Sequence, residues 1–246
     1  MINFDIKVLE WIRDNIDVVD DQETLHDFLS NKCNRFKVKN FVQFFAEYCN
    51  DPLLDGLDRG IVEESYGLYD GVENLKEIIY PGHLPEVGVK MFAWCRNLKT
   101  VELETGVISI AENAFERSGV EKLILPDTLS YINPSAFLQC DNLTKVKIPD
   151  SVESIFPEAF KACHNLVDVT LPKSVQSVGT GAFSYTGIKE IKIPGSLNLI
   201  PPKAFQGCKD LTTVDIEDGV IKIGDQAFFQ TGVTVLEIPQ SVKYYI

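Results

Sequence analysis

The chain has 246 residues with 45% hydrophobic and 24% charged side chains. That composition excludes bulk disorder, a collagen-like repeat and a disulfide mini-scaffold. Thirty-six acidic residues against 23 basic give a formal net charge of −13, which argues against binding the phosphate backbone of a nucleic acid. No apolar run is long enough to cross a bilayer, so no membrane insertion is expected. The opening Met1-Ile2-Asn3-Phe4-Asp5 lacks the basic and apolar regions of a signal peptide, which predicts a cytoplasmic location.

Residues 1–60 carry helical periodicity. Ile6, Leu9, Ile12 and Ile16 share one face, and Asp20 with Glu23 three residues later forms a capping pair before Leu25, Phe28 and Leu29. Phe41, Phe44, Phe45 and Tyr48 mark a third helix, ended by Asp51-Pro52. This segment is expected to be either a cap over the first repeat or a small helical adaptor domain. Its 7 basic and 12 acidic residues leave the acidity spread over both parts of the chain.

Residues 61–246 hold a repeat. An Ala-Phe pair recurs with its phenylalanine at 115, 137, 160, 183, 205 and 228, preceded by Met91-Phe92, so successive copies stand 22 or 23 residues apart. Five or six residues after each phenylalanine comes an alternating apolar segment: 98–103, 120–125, 143–148, 166–171, 188–193, 211–216 and 233–238, with 75–80 ahead of them. Most end at a proline, such as Pro126, Pro149 or Pro172, which removes a ladder donor and stops a strand. Turns built around Cys95, Cys140, Cys163 and Cys208 are one residue longer than those at Gly119, Gly187 and Gly232. A positive φ at these glycines is the expected reason for the shorter turn.

The pattern Leu-x-x-Val-x-Ile-Pro-x-Ser-Val-x-x-Ile-x-x-x-Ala-Phe-x-x-Cys, repeated over residues 75–246, resembles the BspA-type leucine-rich repeat. The fold class expected is α/β: a leucine-rich-repeat solenoid of about eight parallel coils with an N-terminal helical cap or small helical domain. The phenylalanine column is expected in the core.

The cysteine column is expected as buried structural thiols. In-register side chains give Cys140 and Cys163 poor geometry for a bridge, and Cys33 and Cys49 fall in predicted helices. A largely reduced set favours a reducing compartment. Among His26, His83 and His164 and the cysteines, no Cys-x-x-Cys or histidine pair has zinc-ligand spacing; His164 reads as solvated surface and His83 as an unremarkable turn residue. No nucleophile elbow, phosphate loop or placeable Cys-His pair occurs, so neither an enzyme nor a cofactor is expected.

The outward strand face remains. Alternation points two residues of each strand to solvent: Glu77 and Ile79, Thr100 and Glu102, Lys122 and Ile124, Lys145 and Lys147, Asp168 and Thr170, Glu190 and Lys192, Thr213 and Asp215, Val235 and Glu237. Lys122, Lys145, Lys147, Asp168, Thr170, Glu190 and Lys192 are the candidate ligand-binding residues, with a basic island suited to an acidic segment of a protein partner. The competing reading is that lysines among acids only keep the sheet soluble. Tyr244, Tyr245 and Ile246 are expected to leave an apolar edge that drives self-association. The resemblance implies a surface-exposed or secreted protein in adhesion or host interaction. The absent signal peptide and reduced cysteines point instead to an intracellular regulatory or effector module.

Overall fold

The computed structural model describes residues 75–245, Pro81 excepted. The helices expected in residues 1–60, with Cys33 and Cys49, lie outside the described residues.

Residues 75–245 wind into a succession of short strands and turns that stacks as a β-solenoid of about seven parallel turns. Each coil contributes to two rows. The long row consists of Glu77–Tyr80, Thr100–Leu103, Lys122–Ile124, Lys145–Lys147, Asp168–Thr170, Glu190–Ile193 and Thr213–Ile216. The short row consists of the two-residue strands Glu86–Val87, Ser109–Ile110, Tyr131–Ile132, Ser154–Ile155, Ser177–Val178, Leu199–Ile200, Lys222–Ile223 and Tyr244–Tyr245. All pairing is parallel and in register, for example Ile78 beside Val101 and Val101 beside Leu123. The segment 233–238, expected as an eighth long strand, is not a strand.

Among the described residues there is no helix, and the backbone bonding of the return segment explains why. Asn113, Phe115 and Arg117 donate their N–H groups to Pro134, Ala136 and Leu138 of the next coil, at 3.1, 2.8 and 2.7 Å. Ala114, Glu116 and Ser118 donate three residues back, to Ala111, Asn113 and Phe115. Alternate amides therefore serve the neighbouring coil, which leaves no i to i−4 ladder. The geometry requires a left-handed residue on either side of each Ala-Phe pair, as at Asn113 (φ 57°) and Arg117 (φ 54°). Such residues cost roughly 1–2 kcal/mol each. The described part is accordingly all-β, and the α/β class expected from sequence rested on residues outside it.

The core is made of columns. Phe92, Phe115, Phe137, Phe160, Phe183, Phe205 and Phe228 stack in one line, with ring centroids 5.1–5.8 Å apart and planes within 13° of parallel. All but Phe228 are buried, as the column at a fixed repeat position leads one to expect. Tyr80 closes the line edge-on against Phe92 at 6.4 Å.

Gly119, Gly187 and Gly232 are not at positive φ, contrary to the expectation from turn length. Crowding is the reason for glycine there. A Cβ on Gly119 would lie 1.9 Å from the Arg96 carbonyl oxygen, and one on Gly187 2.5 Å from that of His164. The shortened turn brings the chain against the backbone of the preceding coil, where no side chain fits.

Candidate functional site

Parallel stacking turns each outward strand position into a column. Lys122, Lys145, Lys147, Asp168, Thr170, Glu190 and Lys192 are all exposed on the long row, with their inward neighbours in the core. Register then decides which charges meet. Lys145 stands beside Asp168, and its Nζ lies 2.6 Å from Oδ2 of that carboxylate. Lys192 stands beside Asp215 and reaches it at 3.3 Å and Glu217 at 3.0 Å. Pairing with Glu217 and Asp215 raises Lys192 above the ordinary lysine range. Glu217 is held below the usual carboxylate range by Lys192 and by the Gly195 amide, which donates to it at 3.2 Å. These ion pairs are exposed and worth little individually. Lys122 and Lys147 make no ion pair among the described residues, so the basic island is reduced to two uncompensated lysines flanking Lys145.

The long row is not one sheet. It runs as three strands, then two, then two, with ladder breaks between Lys122–Ile124 and Lys145–Lys147 and between Asp168–Thr170 and Glu190–Ile193. A third break falls after Thr213–Ile216, where 233–238 fails to join. Continuing the 22- or 23-residue register across these joints would set Lys122 beside Lys145, Asp168 beside Glu190, and Asp215 beside Glu237. All three are like charges directly opposite one another, which destabilises strand pairing. No pair inside an intact ladder has that character: the partners are Glu77 with Thr100, Thr100 with Lys122, Lys145 with Asp168, Lys192 with Asp215. Turn length does not account for the breaks, because the change from a cysteine turn to a glycine turn is joined at 100–122 and broken at 168–190. Burial is looser only on the N-terminal side of each joint, at Leu123, Val169 and Val214, and stays tight on the other side at Val146 and Ile191. The central inward residues Val101, Val146 and Ile191 are 0–3% exposed, whereas Val169 rises to 7% and Leu123 and Val214 are only half-buried.

The joint at Lys122, Lys145 and Lys147 is therefore a gap in the ladder with three exposed ammonium groups and the 38%-exposed side chain of Ile124 at its edge. It offers no catalytic nucleophile with a base.

The turn columns add structure. Cys140, Cys163 and Cys208 are unbridged and buried, and their thiols donate to the carbonyls of Phe115, Phe137 and Phe183 at 3.0, 3.0 and 3.1 Å. Burial pushes the Cys163 and Cys208 thiols up, away from reactive thiolate character. In the shorter turns the same place is held by Ser118 and Thr186, whose hydroxyls lie 3.4 and 3.2 Å from Cys140 and Cys208. His164 is exposed, with Nδ1 2.7 Å from the Asp141 carboxylate of the preceding coil. Among the described residues no group of three His, Cys, Asp or Glu side chains is placed to hold a metal ion.

One cluster was not singled out from the sequence. Arg96 and Arg117, the only arginines among residues 75–246, both lie over the ring of Trp94, at 5.3 and 4.3 Å from its centroid. Trp94, Arg117 and Gln139 occupy one left-handed slot in three successive coils (φ 57°, 54° and 58°), and Arg117 Nε donates to Gln139 Oε1. With Ser118, Gly119, Asp141 and Asn142 they line an open cleft of about 480 Å³. The signal available in sequence was the scarcity of arginine and its pairing with the one tryptophan of the repeats.

At the far end, Phe229, Val235, Tyr244 and Tyr245 are 52%, 76%, 53% and 65% exposed. The tyrosines are nonetheless tied in, as the final short strand beside Lys222–Ile223, with Lys222 Nζ 5.5 Å from the Tyr244 ring.

Comparison with known proteins agrees with this architecture. The sequence matches the family described as BspA type leucine rich repeat region, in six copies, over residues 64–155 and 132–245. No curated protein matches it. Among solved structures, the leucine rich repeat protein of T. pallidum (TpLRR) is 28% identical with a TM-score of 0.58, covering 62% of this chain and 73% of that one. A leucine rich cell surface protein from Faecalibacterium prausnitzii is 25% identical (TM-score 0.43), covering 73% of this chain, which spans 61% of that protein. A leucine-rich repeat protein from Bacteroides ovatus is 20% identical (TM-score 0.43; 72% and 70% covered).

Proposed function

The chain belongs to the BspA-type leucine-rich repeat family, and from that premise we propose that it is a non-enzymatic protein-binding scaffold whose long-row strand face engages an acidic segment of a protein partner. The observation that carries this reading is the joint between Lys122–Ile124 and Lys145–Lys147, where two unpaired lysines and the flanking Lys145 face solvent across a break in the ladder. A partner carboxylate lying between the columns would relieve the repulsion that keeps the joint open. Binding energy is thus available there that a fully paired sheet would not offer. Asp168, Thr170, Glu190 and Lys192 would contact flanking parts of the same partner.

The test uses a fluorescein-labelled hexaglutamate peptide and anisotropy at low salt. The Lys122→Gln/Lys147→Glu double variant should bind at least tenfold more weakly than the parent, with its thermal midpoint unchanged or slightly raised. Equal affinity in the two proteins would remove the lysine joint as the binding surface.

For biological setting, adhesion or host interaction is the reading supported by the family. The buried cysteines that favoured an intracellular effector lose force as an argument, since thiols sealed in the core and bonded to carbonyls persist in any compartment. Intact-cell proteolysis distinguishes the two: an adhesion role requires the native protein to be cleaved from outside, and complete protection would favour the effector.

A further inference from the structure

The cleft at Trp94 has the chemistry of an oxyanion anchor. A protein with a net charge of −13 has gathered the only two arginines of its repeats onto a single aromatic ring. Both guanidinium groups lie over Trp94 at cation–π distance, and Gln139 Oε1 accepts a hydrogen bond from Arg117 Nε. Arg117 has one weak ion pair, to Glu116 at 3.7 Å, and Arg96 none among the described residues. Planar forks fixed in this way present N–H groups matched to carboxylate geometry and lose little freedom on binding. The Asp141 carboxylate also lines the cleft but is turned to His164 at 2.7 Å.

We propose that Trp94, Arg96 and Arg117 form a carboxylate-binding anchor for an acidic peptide segment, which continues from this cleft along the strand face. The openness of the cleft and its position on the turn edge suit side chains of an extended chain. Gly119, which lines it, is three residues before Lys122, a reach of about 10 Å. Asn142, on the next coil, stands three residues before Lys145. Arg117 and Lys122 share one coil, Trp94 and Arg96 lie on the coil before it and Lys145 on the coil after it, so three or four residues of an acidic segment reach from Arg117 to the joint. The inference rests on the scaffold reading above and names the partner's point of attachment.

The experiment titrates the full chain, in a Trp11→Phe background so that fluorescence reports Trp94 alone, with hexaglutamate, hexaglutamine, glucuronate and inorganic phosphate. Hexaglutamate should perturb Trp94 emission saturably, and added salt should weaken it. Arg96→Ala/Arg117→Ala should lower its affinity at least tenfold with an unchanged melting temperature, and Arg96→Lys/Arg117→Lys should recover only part of the loss, because an ammonium keeps the charge without the fork. Failure of hexaglutamate to bind, equal response to hexaglutamine, or tighter response to glucuronate or phosphate would overturn the peptide anchor. Loss of binding in Lys122→Gln/Lys147→Glu but not in the arginine variants would overturn the anchor and leave the scaffold reading standing. Loss in neither would overturn both.

Discussion

The two rows of the solenoid follow the same coils at the same rise yet behave differently. The short row is continuous through five coils, from Glu86–Val87 to Ser177–Val178, whereas the long row parts after three strands, two and two. Their outward columns differ in charge. The short row presents Glu86, Ser109, Tyr131, Ser154 and Ser177, with no like charges adjacent. The long row presents like charges at every place where it parts. Both rows have apolar residues inward and the same phenylalanine column beneath, so burial alone does not decide continuity. The short row also parts once, between Ser177–Val178 and Leu199–Ile200, where no like charges meet, so outward charge accounts for the partings in the long row and not for every parting in the solenoid.

The largest effect should come from removing what the rows share. Phe137→Ala deletes a ring between two stacked neighbours at 5.2 and 5.1 Å and should cost about 3–5 kcal/mol. Calorimetry should show both rows melting together at a lower temperature; a loss confined to one row would contradict a common core. Next, the short row can be given the defect of the long one. Ser154→Glu/Ser177→Glu places like charges directly opposite in a joined pair and should cost roughly 1 kcal/mol. Amide exchange would accelerate in residues 176–179.

The reverse change should mend a joint. Glu190→Lys sets opposite charges at the Asp168 joint and should add up to about 1 kcal/mol, with slower exchange of the amides in 189–192. No change in exchange would mean that something other than charge holds that joint open. The smallest effect concerns the intact ladder at Lys192. Glu217 is depressed, so its contribution is present above the ordinary carboxylate range and fades as pH falls through its lowered value. Lys192 is raised, so its contribution persists below the ordinary lysine range and is lost as pH rises through its elevated one. In carboxyl-detected NMR, Lys192→Met should move the Glu217 titration back toward the usual carboxylate range. An unmoved midpoint would assign the depression to the Gly195 amide and the charge of Lys173.

Much of this architecture is legible in the sequence, because columns in a solenoid are copied repeats. The Ala-Phe spacing specifies the stacked core, the prolines end the strands, and the cysteine slot reads correctly as buried thiols. Reading each strand alone also identifies which side chains face water. The joints are not legible that way, since they arise between strands: Lys122 and Lys145 are unremarkable separately and repel only once register sets them side by side. Turn length misleads at Gly119 and Gly187 for a related reason, as their constraint is the carbonyl of the preceding coil and not their own dihedral. Trp94, Arg96 and Arg117 likewise meet across coils, from positions that no single repeat marks.

The central claim, that outward charge sets where the long row is joined, is tested most directly by hydrogen exchange on the parent and on Lys122→Glu. In the parent, the amides of 144–148 should exchange faster than those of 167–170, which lie in an intact ladder with Lys145–Lys147. In Lys122→Glu, opposite charges meet at the joint, and the amides of 144–148 should slow toward the rate of their joined counterparts. Equal protection of the two segments in the parent, or unchanged exchange in the variant, would contradict the account.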